Sequence, residues 1–276
     1  MPDAPQFLLG GGEMGAAMRA HDWAATPLGP PDQWPQALKT AASILLSSKF
    51  PMFLAWGPEL IFLYNDGYAE ILGGKHPAAL GKPFQEVWAE IWPDIAPIVD
   101  RALAGEATYW ENLPLTMNRR GFDEPTWFTF SYSPLRGDDG AVRGMFCACT
   151  ETTANVRAQE RRLQEMARLR QLLDSAPGFM AVVGKDDRFY LANRAYLQSI
   201  GETDVVGRSF REVFPETDYP GSATRIEQVL ATGQPYSVEG APVHLKGRNG
   251  APDKDLVLDF VVQPIFAGGE VIAVFV

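Results

Sequence analysis

Thr150-Glu151-Thr152-Thr153 leads into Ala154 to Asp174, a run without Gly or Pro that is rich in Glu, Gln, Arg and Leu. A hydroxyl-rich start, straight-chain helix formers and no internal breaker predict one helix over this run. Leu163, Met166, Leu169, Leu172 and Leu173 recur at steps of three and four, and Arg157, Glu160, Arg161, Glu165 and Arg168 cover much of the remaining circumference. At ~1.5 Å per residue such a helix spans roughly 30 Å, enough to join two domains or to zip against a second copy of itself. Arg170 interrupts the heptad Leu163, Met166, Arg170, Leu173, so a coiled coil of this helix alone is weak, and packing on flanking sheets is the other expectation.

On either side of the helix one pattern is used twice. Asn65-Asp66-Gly67-Tyr68 follows an apolar run, and Asn193-Arg194-Ala195-Tyr196 follows another. Gly81-x-x-Phe84 recurs as Gly207-x-x-Phe210, Leu103-Ala104-Gly105 as Leu230-Ala231-Thr232-Gly233, and Phe130-x-x-x-Pro134 as Phe260-x-x-x-Pro264. Four landmarks in one order, each returning roughly 130 residues later, imply a duplicated domain of about 100 residues.

Within the first copy, Met52 to Trp56 and Leu60 to Tyr64 flank Gly57-Pro58 as a strand hairpin, and Asn65 is placed to cap a short helix ended by Gly73-Gly74. Helical turns around Pro77 to Trp88 and a longer helix from about Pro93 to Ala104 precede three strands, Tyr109 to Met117, Trp127 to Ser133 and Val142 to Thr150. The order predicts an α+β fold, a five-stranded antiparallel sheet with its helices on one face. The second copy repeats the order, ending on a strand from Val271 to Val276. The expected organisation is a tail and helical cap over 1–48, a first domain over 49–153, a linker helix over 154–175 and a second domain over 176–276. Its last strand reads as truncated, so the sequence reads as a piece of a longer protein. Pro2 to Gly12 is expected to be a mobile tail, and Trp23 and Trp34 are expected to pack rather than to anchor a ligand.

The net charge of −10, with no basic run to offset it, argues against nucleic-acid and anionic-membrane partners. No segment reaches the ~18 apolar residues of a membrane span, and the start lacks a secretory pattern, so a cytoplasmic location is expected. Cys147 and Cys149 are too close in sequence for an unstrained mutual bridge and are expected to be reduced, packed thiols. Without a nearby His or third Cys they fall two ligands short of a structural zinc site. His76, in a Gly/Lys loop, is expected to be solvated. No nucleophile has a base placed by motif, and no enzyme activity is expected of this chain.

The strand order, Asn-x-x-Tyr after the second strand, Gly-x-x-Phe before the long helix and Glu151-x-Thr153 at the exit together resemble the PAS sensory domain, in both copies. The family's exit motif is Asp-x-Thr, whose acid and hydroxyl tie the sheet to the outgoing helix; Glu151 stands where Asp is usual. Asp22-Trp23-x-x-Thr26-Pro27-Leu28-Gly29-Pro30-x-x-x-Trp34-Pro35, with Pro51-Met52-x-Leu54-x-Trp56-Gly57-Pro58 and Tyr64-Asn65-Asp66, is similar to the N-terminal region of bacterial PAS-containing sensor histidine kinases. The resemblance implies a sensory input module that relays a change in a PAS core through Glu151, Thr153, Leu163 and Met166 to a kinase domain of the same chain, with homodimerisation as a further expected partner interaction. A ligand-free scaffold for dimerisation or partner binding, and a non-covalent flavin sensor of redox state or light, are the alternatives.

Resemblance also locates the ligand space, between the inner sheet face and the helices. Phe128, Phe130 and Tyr132 share a strand face and are expected to fill the first cavity, beside Cys147 and Cys149. Leu258, Phe260 and Val262 are smaller and leave the second cavity roomier, so a small-molecule ligand is expected there. Which cofactor, if any, stays open. Cysteinyl-adduct flavin is not expected, because that chemistry in the family uses a helical-side Asn-Cys-Arg-Phe setting and both cysteines here sit on a strand. Haem is not expected, because His21, His76 and His244 all lie off the long helix that normally carries the axial ligand. Non-covalent flavin would draw on Trp110, Asn112 and Thr116 of the first copy.

Overall fold

The period-two runs become strands and the Gly/Pro punctuation becomes turns in a computed structural model, which describes residues 5–214, 222–245 and 253–276. The chain divides into two bodies, Met1–Glu160 and Arg161–Val276. The first holds α1 (Gly12–Ala20), α2 (Gln36–Ser47), β1 (Met52–Trp56), β2 (Ile61–Tyr64), α3 (Asp66–Leu72), α4 (Phe84–Val87), α5 (Trp92–Leu103), β3 (Thr108–Met117), β4 (Glu124–Arg136) and β5 (Val142–Glu151). Next comes α6 (Thr153–Ser175). The second body then holds β6 (Ala181–Gly184), β7 (Phe189–Ala192), α7 (Arg194–Ile200), α8 (Phe210–Val213), α9 (Ser222–Thr232), β8 (Tyr236–Leu245), β9 (Lys254–Ala267) and β10 (Glu270–Phe275).

Both sheets are five-stranded and antiparallel, in the orders β2-β1-β5-β4-β3 and β7-β6-β10-β9-β8. This topology puts β5, the strand that leads into α6, at the sheet's centre between β1 and β4. Phe53, Cys147 and Tyr132 lie in one row across these three strands.

One irregularity is shared. The β3–β4 register shifts between Trp110 and Leu113, and the β8–β9 register between Val238 and Ala241. Asn112 and Gly240 take positive φ at these bulges, and each backbone N–H is held by the facing strand, by Thr129 Oγ1 at 3.1 Å and Asp259 Oδ1 at 2.7 Å respectively. The extra residue reverses the alternation of β3. Thr108 is buried and Trp110 half-buried before the bulge; after it Leu115 and Met117 are buried, while Asn112 and Thr116 are exposed. The grouping of Trp110, Asn112 and Thr116 as one flavin-contacting set is therefore corrected, because strict period two does not survive a bulge.

Two buried asparagines organise the entry to each sheet. Asn65 Oδ1 accepts from Tyr68 N and Met52 N, both at 3.1 Å, and Nδ2 donates to Leu45 O, Ser48 O and Phe50 O. Asn193 Oδ1 accepts from Tyr196 N at 2.9 Å and Met180 N at 3.0 Å, and Nδ2 donates to Leu173 O at 3.0 Å and Gly178 O at 2.8 Å. Each amide caps the following helix and ties it to the end of the preceding one, α2 in the first body and α6 in the second.

The N-terminal cap belongs to the first core. Trp23 and Trp34 are buried edge to face at 5.0 Å, and their indole N–H groups donate to Met18 O and Gly29 O. Carboxylates of the domain hold the cap helices: Asp66 Oδ1 accepts Met14 N, and Asp138 accepts Gln36 N and Ala37 N. The expected mobile tail is corrected over residues 5–12, since Leu8 is buried and Arg19 Nη1 donates to its carbonyl at 2.6 Å; residues 1–4 lie outside the described residues. His76 is also not a solvated loop residue, because its ring bridges Tyr64 Oη at 3.0 Å and Glu13 Oε1 at 3.3 Å. No described helix is long and apolar enough to cross a membrane.

Candidate functional site

The two copies fill the space between sheet and helices differently. In the first, Phe53, Tyr68, Trp88, Phe128, Phe130 and Tyr132 converge with Cys147 and Cys149, leaving about 30 Å³. That is room for no more than a few waters. Phe53 stacks on Phe84 at 4.9 Å and Phe130 lies 4.7 Å from Tyr132. Burial pushes the Tyr68 and Tyr132 hydroxyls and the Cys147 thiol well up, so all three stay protonated at neutral pH. Among the described residues no cluster of His, Cys, Asp or Glu is arranged to hold a metal. A three-ring flavin does not fit about 30 Å³, and Trp110 does not line that space.

In the second copy the same region forms a pocket of about 340 Å³, partly open to solvent and within the usual range of small-molecule sites. Leu258, Phe260 and Val262 of β9 form its floor, Tyr196, Ile200, Phe210 and Phe214 its helical side, and Arg225 and Ile226 of α9 a further wall. Matching the repeated landmarks sets Leu258 at Phe128, Val262 at Tyr132 and Phe214 at Trp88. Smaller side chains thus stand at three lining positions of the second copy.

Where β5 leaves the first sheet, a buried cation gathers the chain. Arg119, from the β3–β4 turn, has a side chain only 2% exposed; its Nε lies 2.7 Å from Glu124 Oε1 and its Nη1 2.8 Å from Glu151 Oε2. The same Nη1 donates to Ile71 O, in the last turn of α3, at 3.1 Å. Burial pushes the Glu151 carboxyl up, but hydrogen bonds from Arg119 and Thr153 and the Arg119 charge outweigh burial and hold it below the usual carboxylate range. Thr153 Oγ1 accepts Trp127 N at 3.0 Å, Trp127 O accepts Thr152 N at 2.8 Å, and Arg157 stacks over Trp127 while donating to Pro125 O. The start of α6 is thus bonded to β4 and, through Arg119, to α3.

Both sheets share strand order, bulge and capping asparagine. The family model described as PAS fold matches residues 51–157 and 173–276, most of the chain. The chain belongs to the PAS family. PAS domains are common in sensory signal transduction. A comparison with curated proteins finds no significant match. Among solved structures, an RNA-binding light-oxygen-voltage receptor is 15% identical at a TM-score of 0.32, over 83% of this chain and 92% of its own. The PAS domain of Bordetella pertussis BvgS is 25% identical at a TM-score of 0.32, over 41% of this chain and 82% of its own. The PAS domain of a HTR-like protein from Haloarcula marismortui is 19% identical at a TM-score of 0.31, over 43% and 95%.

Set on the PAS scaffold, Glu151 and Thr153 meet at one cluster, whereas Leu163 and Met166 lie further along α6, 60% and 68% exposed. No residue of α6 is buried, so the expected packing of its stripe on the flanking sheets is corrected. The stripe is exposed, with Leu169 and Leu172 continuing it. Arg119 is the functional side chain that sequence reasoning misses. Arg119 sits in an Arg119-Arg120-Gly121 turn that reads as solvated, and only a search for a counter-charge to Glu151 singles it out. The Asn193 cap was legible, but not its bond to Leu173 O.

Proposed function

We propose that this chain is a tandem PAS sensory input module in which the second domain binds a small molecule and the first, filled by its own aromatics, passes strain to α6. The observation that carries the reading is the contrast between about 340 Å³ in one copy and about 30 Å³ in the other. An occupant of the larger cavity touches Tyr196 and Met180, whose amides bond to Asn193, and Asn193 also holds the last turn of α6. Occupancy therefore biases the end of the helix through side chains in contact.

The finer reading is that the parent protein is a cytoplasmic sensor histidine kinase with a kinase domain on the same chain. Its copies pair through the exposed stripe Leu163, Met166, Leu169 and Leu172, and neither nucleic acid nor membrane is a partner. The test places the first copy's residues in the second, as Leu258→Phe with Val262→Tyr. Amide hydrogen exchange over Leu169 to Ser175 should change while the second domain stays folded; unchanged exchange would favour the scaffold reading. In the full-length protein, Thr153→Ala and Leu163→Glu should alter kinase output with both domains folded, and unaltered output would count against the relay. Purified protein with an absorption band near ~450 nm and released flavin would replace this reading with the redox or light sensor.

A further inference from the structure

The second cavity is walled by aromatic rings and offers a ligand no free charge. Phe179, Tyr196, Phe210, Phe214, Phe260 and Phe275 all line it. Phe214 lies 5.1 Å from Phe210 and edge to face with Tyr196 at 6.3 Å, a cluster of the kind that takes up a further ring in offset or edge-to-face contact. Two of the described lining residues are charged, and both are engaged already. Arg225 has partners of its own, among them the Tyr236 ring, over which its guanidinium lies at 5.5 Å. Asp259 Oδ1 accepts Gly240 N at 2.7 Å at the β8 bulge, from a strand position exposed to solvent. Ser199, polar without charge, donates its hydroxyl to Tyr196 O at 2.7 Å. A charged ligand would therefore enter an apolar space without a counter-charge, which is costly.

We propose that the second domain binds an uncharged aromatic compound of about two fused rings, between Leu258 and Val262 of β9 on one side and Phe210 and Phe214 on the other. The size follows from the volume: about 340 Å³ is roughly twice the ~150 Å³ of an apolar cavity that takes up one benzene ring. The aromatic character follows from the lining, because ring-on-ring contact adds to what area burial alone supplies, and an aliphatic chain forgoes it. This inference rests on the second domain being the ligand-binding one.

Naphthalene, 1-naphthoate and 1-octanol separate the ideas. Each is titrated into the full chain, with methyl NMR of Ile226, Leu258 and Val262 reporting the cavity. Naphthalene should bind at least about tenfold more tightly than naphthoate, whose charge finds no counter-charge in the cavity. It should bind at least about threefold more tightly than octanol, roughly the factor that one favourable ring pair adds. Naphthoate binding as tightly as naphthalene overturns the uncharged class, and octanol doing so overturns the aromatic one; either result leaves the cavity reading standing. No methyl shift with any of the three overturns both. Leu258→Phe with Val262→Tyr, which narrows the cavity, should abolish the naphthalene shift at Ile226, and its persistence would overturn the assigned site. The wild-type comparison decides the ligand class even where that variant fails to fold.

Discussion

Arg119→Met tests the exit cluster most directly. Methionine keeps much of the side chain's length but removes the charge that serves two carboxylates and a carbonyl, Glu124 at 2.7 Å, Glu151 at 2.8 Å and Ile71 O at 3.1 Å. Breaking a buried ion pair by deleting one partner costs about 3–5 kcal/mol, because the partner left behind is poorly solvated. Here Glu124 is 12% and Glu151 31% exposed, so water takes over part of the lost role, and the expected loss is about 2–4 kcal/mol. All seven tryptophans lie between Trp23 and Trp127, so tryptophan fluorescence reports the first body alone. At a urea m-value of ~2 kcal/mol/M, the fluorescence midpoint should fall by about 1–2 M. Adding Glu151→Gln to the variant should recover part of that loss, since the two carboxylates then no longer face each other uncompensated. A midpoint within about 0.3 M of the parent's would refute the view that Arg119 is the electrostatic centre of this exit.

The Glu151 carboxyl is held below its unfolded value, so its contribution is complete above about pH 4.3 and fades as pH falls through the lowered folded value. The stability gap between parent and Glu151→Gln, read by tryptophan fluorescence, should accordingly narrow between pH 7 and pH 3.5; a constant gap would contradict the ion pair. Asn193→Ala strands two N–H and two C=O groups around a fully buried site and should cost the second domain about 2–4 kcal/mol. Amide exchange at Met180 and Tyr196 should rise while tryptophan fluorescence stays as in the parent, and protected amides at both would disprove the cap. Phe130→Ala hollows a filled core and should cost about 3–5 kcal/mol, whereas Phe260→Ala, beside a cavity already present, should cost about half as much. Equal losses in two denaturation series, the second followed by exchange in β9, would mean that the second core is as full as the first.

The sequence alone determined the architecture. Four repeated landmarks implied duplication, period-two runs implied strands, and Asn65 and Asn193 marked helix starts, because each of these signals is local and is read by the backbone within a few residues. The difference in filling was also legible, since Phe128, Phe130 and Tyr132 against Leu258, Phe260 and Val262 is a statement about side-chain volume on one strand face. Only the tertiary structure decided the rest. A bulge at Asn112, invisible in composition, turned Thr116 away from the core and dissolved one candidate set. Arg119 became a buried hub only when the β3–β4 turn was brought beside the end of β5 and the end of α3, and Leu8 became core only when the cap folded back onto the domain. Alternation and capping are set by near neighbours along the chain, whereas charge pairing and burial depend on what folding brings together from far apart in sequence.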